Sequence, residues 1–162
     1  MSSWRINEQR GFTLIELLIV ISIMSILLTV GVPNMVALTK NSRLSAGAND
    51  LVNTLSFARA EAVRRGANVV VTTVNGAGGN EWGEGASVAV AGTDLLIMPP
   101  VHDTITADGG GGIISITFTS DGSTLLASSE TIEVCDNRSG ETGRQITILV
   151  SGIIDHRTMT CS

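Results

Sequence analysis

Between Phe12 and Val32 lie 21 residues with a single charged side chain, Glu16. As an α-helix rising about 1.5 Å per residue, the stretch covers roughly the 30 Å hydrocarbon thickness of a bilayer and is long enough to span it. A carboxylate inside such a span costs about 3 kcal/mol on insertion scales, so an acid placed there calls for a partner. The flanks set a direction. Residues Met1 to Gly11 carry Arg5 and Arg10 against Glu8, so this short positive side is expected to stay cytoplasmic. Everything after Val32 then lies outside the inner membrane. A secretory signal peptide fits poorly, because its apolar core runs to only about 7–15 residues, a small-residue cleavage site follows it, and it avoids charge where Glu16 sits.

The helical pattern continues past Pro33. Leu44, Ala48, Leu51, Leu55, Ala58 and Ala62 recur at spacings of four and three, one face of an amphipathic helix. Lys40, Arg43, Asp50, Arg59 and Glu61 fall mainly off that stripe. Arg64 and Arg65 suit a helix C-terminus, and Gly66 suits the position after it. One helix from Phe12 to Arg65 would be about 80 Å long. Gly31 and Pro33 interrupt it: a proline inside a helix removes a hydrogen bond and costs about 3 kcal/mol, which predicts a kink or a locally melted turn.

After Gly66 the pattern changes to strands and turns. Asn68–Val74, Ser87–Val90, Leu95–Met98, Ile113–Thr119, Thr131–Cys135 and Gln145–Val150 are short strand candidates. Asn75-Gly76 with Ala77-Gly78-Gly79, Pro99-Pro100, Gly109–Gly112 and Ser120–Ser123 read as loops. Eighteen glycines in 162 residues, against a usual share of about 7%, fit a turn-rich antiparallel domain. The organisation expected is a leader over 1–11, a membrane span over 12–32, the amphipathic half of the helix over 33–66 and a β-rich domain over 67–162. Cys135 and Cys161 are the only cysteines. On the outer side of the membrane they can form a lasting bridge that pins the C-terminal strand, with two unconnected buried thiols as the alternative.

Chemistry has little to stand on. His102 and His156 lack ligand partners at metal spacing. Gly109–Gly112 lacks the Gly-Lys-Ser/Thr ending of a phosphate loop. In Asp136–Glu141, which superficially resembles a calcium loop, Arg138 and Gly140 occupy ligand slots. No nucleophile stands beside a base, and no cofactor, metal or small-molecule substrate is implied.

The stretch Arg10-Gly11-Phe12-Thr13-Leu14-Ile15-Glu16, running into the apolar span, resembles the type IV prepilin signal. The resemblance implies cleavage by the prepilin peptidase after Gly11 and methylation of the new N-terminal Phe12. It also implies docking of Glu16, then the fifth residue, on the terminal amine of a neighbouring subunit. In the β-rich half, Trp82 with Gly83 and Gly85, Phe118-Thr-Ser-Asp121-Gly122, Val134-Cys135-Asp136-Asn137-Arg138, Gly143-Arg144-Gln145-Ile146, Ser151-Gly152 and Cys161 resemble the GspH/FimT family of minor pilins and pseudopilins. That family implies an α+β, type IV pilin-like fold in which a long N-terminal helix packs on a small antiparallel β domain. It also implies a structural, non-enzymatic role: a FimT/FimU-like minor pilin that primes pilus assembly near the tip, or a GspH-type pseudopilin of type II secretion. The partners implied are other minor and major pilins, the prepilin peptidase and the inner membrane.

One branch of the family binds DNA through a Gly-Arg-x-Arg loop. The matching place here reads Gly152-Ile153-Ile154-Asp155, so both arginines are missing. Without the leader the chain has eight basic and fourteen acidic residues, net −6, a poor balance for neutralising phosphates. A DNA role would rest on a local cluster of Arg138, Arg144 and Arg157.

Overall fold

The computed structural model describes residues 12–76 and 80–162; the expected leader, including Gly11, and the Ala77-Gly78-Gly79 part of one expected loop lie outside the described residues. The chain divides into two compact units, one ending at Thr39 and the other covering Lys40–Ser162. A single helix, α1 (Leu14–Arg65), contributes to both.

In the first unit the helix starts on Thr13, whose Oγ1 accepts the Glu16 backbone N–H at 3.2 Å and whose carbonyl accepts that of Leu17 at 3.2 Å. This is an N-cap that removes one of the orphan donors of a helix start. The apolar side chains that follow, from Leu14 through Leu28, are exposed wherever they are described. Its hydroxyls are not left open: Ser22, Ser25, Thr29 and Thr39 donate to the carbonyls of Leu18, Ile21, Ile26 and Met35 at 2.7–2.9 Å. A helix that satisfies its own polar groups is what hydrocarbon demands. Pro33 lies inside α1, and of the kink or melted turn expected at Gly31 and Pro33 the backbone shows no melting, since the residues on both sides stay helical. The proline removes one hydrogen bond from a ladder long enough to continue around it.

In the second unit the six stripe residues Leu44, Ala48, Leu51, Leu55, Ala58 and Ala62 are all buried. Each fully buried leucine contributes about 1.5–3 kcal/mol. The helix ends in a Schellman motif, with Gly66 N–H on Val63 and Ala67 N–H on Ala62, both at 3.3 Å. The stripe shares its core with two four-stranded antiparallel sheets. One has β1 (Val69–Thr73) flanked by β2 (Ala86–Val90) and β5 (Ser115–Phe118), with β3 (Thr93–Met98) outside β2. The other runs β4 (Ile105–Gly109), β6 (Glu130–Asp136), β7 (Thr142–Ile148), β8 (Ile154–Thr160). Trp82 and Phe118 are the largest buried side chains; the indole donates to the Ile113 carbonyl at 2.8 Å, so it buries area without leaving a donor unpaired.

Two strands depart from the sequence pattern. Ile105–Gly109 ends in Asp-Gly, a turn signature, yet it pairs with β6 over five residues. Ile154–Thr160 has no apolar alternation because it is an edge strand, exposed along most of its length, and its pairing with β7 over seven residues is what makes it a strand. Pairing across a sheet overrides weak local propensity.

The sheet edges are treated differently. The outer side of β4 is closed by the 80–82 loop, where Trp82 N–H donates to Ala107 at 3.1 Å and Asn80 Oδ1 accepts from Ala107 N–H at 2.7 Å. The outer side of β5 is closed by Leu125 N–H on Thr117 at 3.0 Å. At the other ends, β8 carries Asp155, His156 and Arg157, and β3 carries Asp94 opposite a register shift in β2.

Candidate functional site

The candidate docking end is the start of α1. Phe12 is exposed, as is the Glu16 side chain. The Thr13 cap uses the backbone N–H of Glu16, so the carboxylate is not what holds the first turn together. Thr13-Leu-Ile-Glu16 has the spacing of a capping box, a local signal that the sequence reading overlooked. An acid at this position also faces the positive end of the helix dipole.

In the globular unit, Cys135 on β6 and Cys161 after β8 are joined in a disulfide with a Cα–Cα distance of 5.8 Å. The bridge passes over β7, which lies between those strands. Gly143 is the residue beneath it. A Cβ there would overlap Cys161 Sγ and sit 3.0 Å from Cys135 Sγ and 2.8 Å from the Val134 carbonyl, so only glycine lets the sulfurs cross.

The three arginines considered for DNA do not form one surface. Arg138 is bound to Asp136, whose Oδ2 accepts Nε at 2.8 Å and Nη2 at 2.5 Å while Oδ1 accepts the Arg138 backbone N–H at 3.0 Å. The Asp136 side chain is 1% exposed. Arg138's hydrogen bonds, helped by its charge and that of Lys40, hold the Asp136 carboxyl below the usual range against the desolvation that opposes them. In the segment that resembled a calcium loop, a guanidinium thus takes the cation's place. Among the described residues no group of three His, Cys, Asp or Glu side chains is arranged to hold a metal. Arg144 turns toward the helix, with Nη2 at 3.4 Å from Ser45 Oγ. Arg157 pairs in register with Gln145, on the opposite face of the sheet because successive side chains alternate. That face also carries Asp108, Glu133 and Asp155, which follow from the registers Asp108↔Glu133, Glu133↔Gln145 and Thr147↔Asp155.

The place matching Gly-Arg-x-Arg is the β7–β8 turn. Gly152 has φ +78° there, and a Cβ would run into the Gly122 carbonyl oxygen; Arg59 Nε donates to that same oxygen at 2.9 Å. The glycine is accounted for by loop packing alone. The Lys40–Ser162 unit is therefore expected to bind duplex DNA no better than weakly at physiological salt. Tight binding that falls steeply with salt and is lost in Arg157→Ala, measured by fluorescence anisotropy, would reverse this.

Asp108 carries a cost. Desolvation first, then the charge of Glu81, a hydrogen bond with Glu81 and the charge of Glu133 push its carboxyl above the usual range. A raised acid pKa favours the folded state at low pH and loses that advantage as pH rises through the folded value. Asp108→Asn should therefore stabilise the domain at neutral pH by about 0.2–1 kcal/mol, the scale of a like-charge cross-strand pair. The gain should shrink below pH 4 or so, where both forms are neutral, and thermal melts at the two pH values would read it.

A family model described as type II transport protein GspH matches residues 47–152, and one described as the prokaryotic N-terminal methylation motif matches residues 6–32. Among solved structures, two crystal forms of the type IV minor pilin FimU of Pseudomonas aeruginosa are similar to the chain. One has a TM-score of 0.68 and 24% identity over 77% of this chain and 99% of that one. The other has a TM-score of 0.64 and 23% identity over 73% of this chain and 99% of that one. Curated proteins give no match. At these identities the likeness establishes the fold, α+β and type IV pilin-like, and both family and fold are those of structural subunits rather than enzymes. Its globular half matches the family model from the helix stripe to the β7–β8 turn and its N-terminal span matches the methylation motif; the chain belongs to the type II transport protein GspH family.

Proposed function

We propose that the chain is a minor type IV pilin, processed after Gly11, held in the inner membrane by α1 with its domain on the periplasmic side, and then built into a pilus, near its tip, where it helps prime assembly. The observation that carries the reading is the exposed apolar half of α1, with its hydroxyls self-satisfied and Glu16 as its one charge. A buried carboxylate is tolerable in a packed helical core only when paired, and the freed amine of a neighbour's Phe12 is the natural partner. Softening at Gly31 and Pro33 would then belong to packing in the filament. Mass spectrometry of subunits sheared from the cell surface should find the chain beginning at N-methylated Phe12; its absence from sheared pili, or an N-terminus beyond Val32, would refute the reading.

The description of the matching family favours a second reading, a pseudopilin of type II secretion. Deleting the gene separates them. Loss of surface pili with normal secretion supports the first, and the reverse supports the second.

A further inference from the structure

Glu16 is followed by 23 uncharged residues, Leu17 to Thr39, and then by Lys40 and Arg43. At about 1.5 Å per residue that run slightly exceeds the hydrocarbon thickness, so a bilayer that holds it leaves Lys40 among the headgroups on the domain's side. Around Lys40 the globular unit gathers further cations. Lys40 Nζ donates to Asn137 Oδ1 at 3.0 Å, and Arg138 Nη2 donates to Asn41 Oδ1 at 2.6 Å. Arg144 enters from β7. Asp136 is taken up by Arg138, and Glu141 lies 4.0 Å from the same guanidinium.

Arg144 differs from Arg138. It is half-buried, and among the described residues its hydrogen bonds go to neutral acceptors, the Gly143 carbonyl at 3.2 Å and Ser45 Oγ at 3.4 Å. It lines a pocket of about 240 Å³ with Asn41, Leu44, Ser45, Glu141 and Thr142. The one carboxylate in the lining, Glu141, is half-exposed and 4.0 Å from the Arg138 guanidinium; the Arg144 guanidinium with an amide and two hydroxyls around it offers donors that phosphate oxygens accept.

We propose that this pocket takes the headgroup phosphate of an anionic lipid, with Arg144 as the principal ligand and Lys40 and Arg43 adding attraction, while the chain waits in the membrane. The inference rests on the membrane-anchored reading above. Its site commits to lipid because the helix residues of the pocket, Asn41 to Ser45, begin within one residue of where the apolar run ends, and basic residues flanking a span are drawn to anionic leaflets.

The test uses the full chain in nanodiscs of phosphatidylcholine with or without phosphatidylglycerol, read by amide hydrogen exchange over residues 40–46 and 139–145. Phosphatidylglycerol should slow exchange there about fivefold for each cation engaged. High salt, Arg144→Gln and Ser45→Asp should each remove the effect, the last by setting a carboxylate beside Arg144, while Arg157→Gln keeps it. Equal exchange in both discs, slowing that Arg144→Gln and Ser45→Asp leave intact, or slowing that appears only when another pilin domain is added would each overturn the lipid assignment alone. A chain recovered in water outside the discs would overturn the membrane reading and the inference with it.

Discussion

Replacing Cys135 and Cys161 together by serine should lower the stability of the Lys40–Ser162 unit by about 3 kcal/mol, the loop-entropy value for a closed loop of this length. For a unit of this size that is a fall of about 10 °C in melting temperature. The helix should persist, since Leu51, Leu55, Ala58 and Ala62 are buried in a core shared with both sheets and only the Leu44 end of the stripe adjoins the strand beneath the bridge. Gly143→Ala reports on the same place by another route. Its methyl group would meet both sulfurs and the Val134 carbonyl, so either β7 or the bridge must shift, at about 1–3 kcal/mol. The two changes are coupled. In the serine background the larger sulfurs are gone, and Gly143→Ala should cost measurably less than in the native chain. Equal costs in both backgrounds, or free thiols titrating in the folded unit, would refute the account of Gly143 as the passage for the bridge.

Glu16→Ala should leave membrane insertion and cleavage intact and reduce incorporation into filaments. Its local structural effect is small, because the Thr13 cap is made with the Glu16 backbone, which alanine retains. Its effect between subunits should be large. A buried pair that loses one member leaves the other charge uncompensated, at about 3–5 kcal/mol, more than a hundredfold in an equilibrium constant. Thr13→Ala makes the reciprocal test, costing the helix start about 1 kcal/mol while sparing the carboxylate. If the docking role holds, Glu16→Ala gives few surface pili and little recovered subunit, whereas Thr13→Ala gives a mild defect. Normal recovery of Glu16→Ala protein in sheared filaments would count decisively against docking and leave an anchor with an incidental acid.

What the sequence made legible follows the range of the interaction. The stripe from Leu44 to Ala62 and the stop at Gly66 are short-range patterns with a fixed period, and the structure buries all six stripe residues. The outer strands were harder to read. Ile105–Gly109 and Ile154–Thr160 owe their conformation to partners, since β4 is held by β6 and by the loop that covers its far edge, and β8 by β7. The bridge was legible from compartment and count, but its route over β7 was not, because nothing in the spacing of Cys135 and Cys161 says which strand they straddle. The arginines make the same point about charge. Arg138, Arg144 and Arg157 lie within twenty residues of one another in the sequence, yet one is bound to Asp136, one faces the helix and one lies on the far side of the sheet.

The treatment of the sheet edges has a consequence for how such a subunit ages and is stored. A chain that, as proposed, is concentrated for ordered assembly through its helix is also concentrated for disordered assembly through its strands, and an open strand edge is the template on which amyloid-like growth begins. Here the 80–82 loop and the 123–125 loop close two edges, the charges of Asp155 and Arg157 guard the third, and a register shift beside Asp94 spoils the fourth. The domain is thereby denied a rival route to a fibre, and on the proposed reading the helix is the surface through which copies and relatives add.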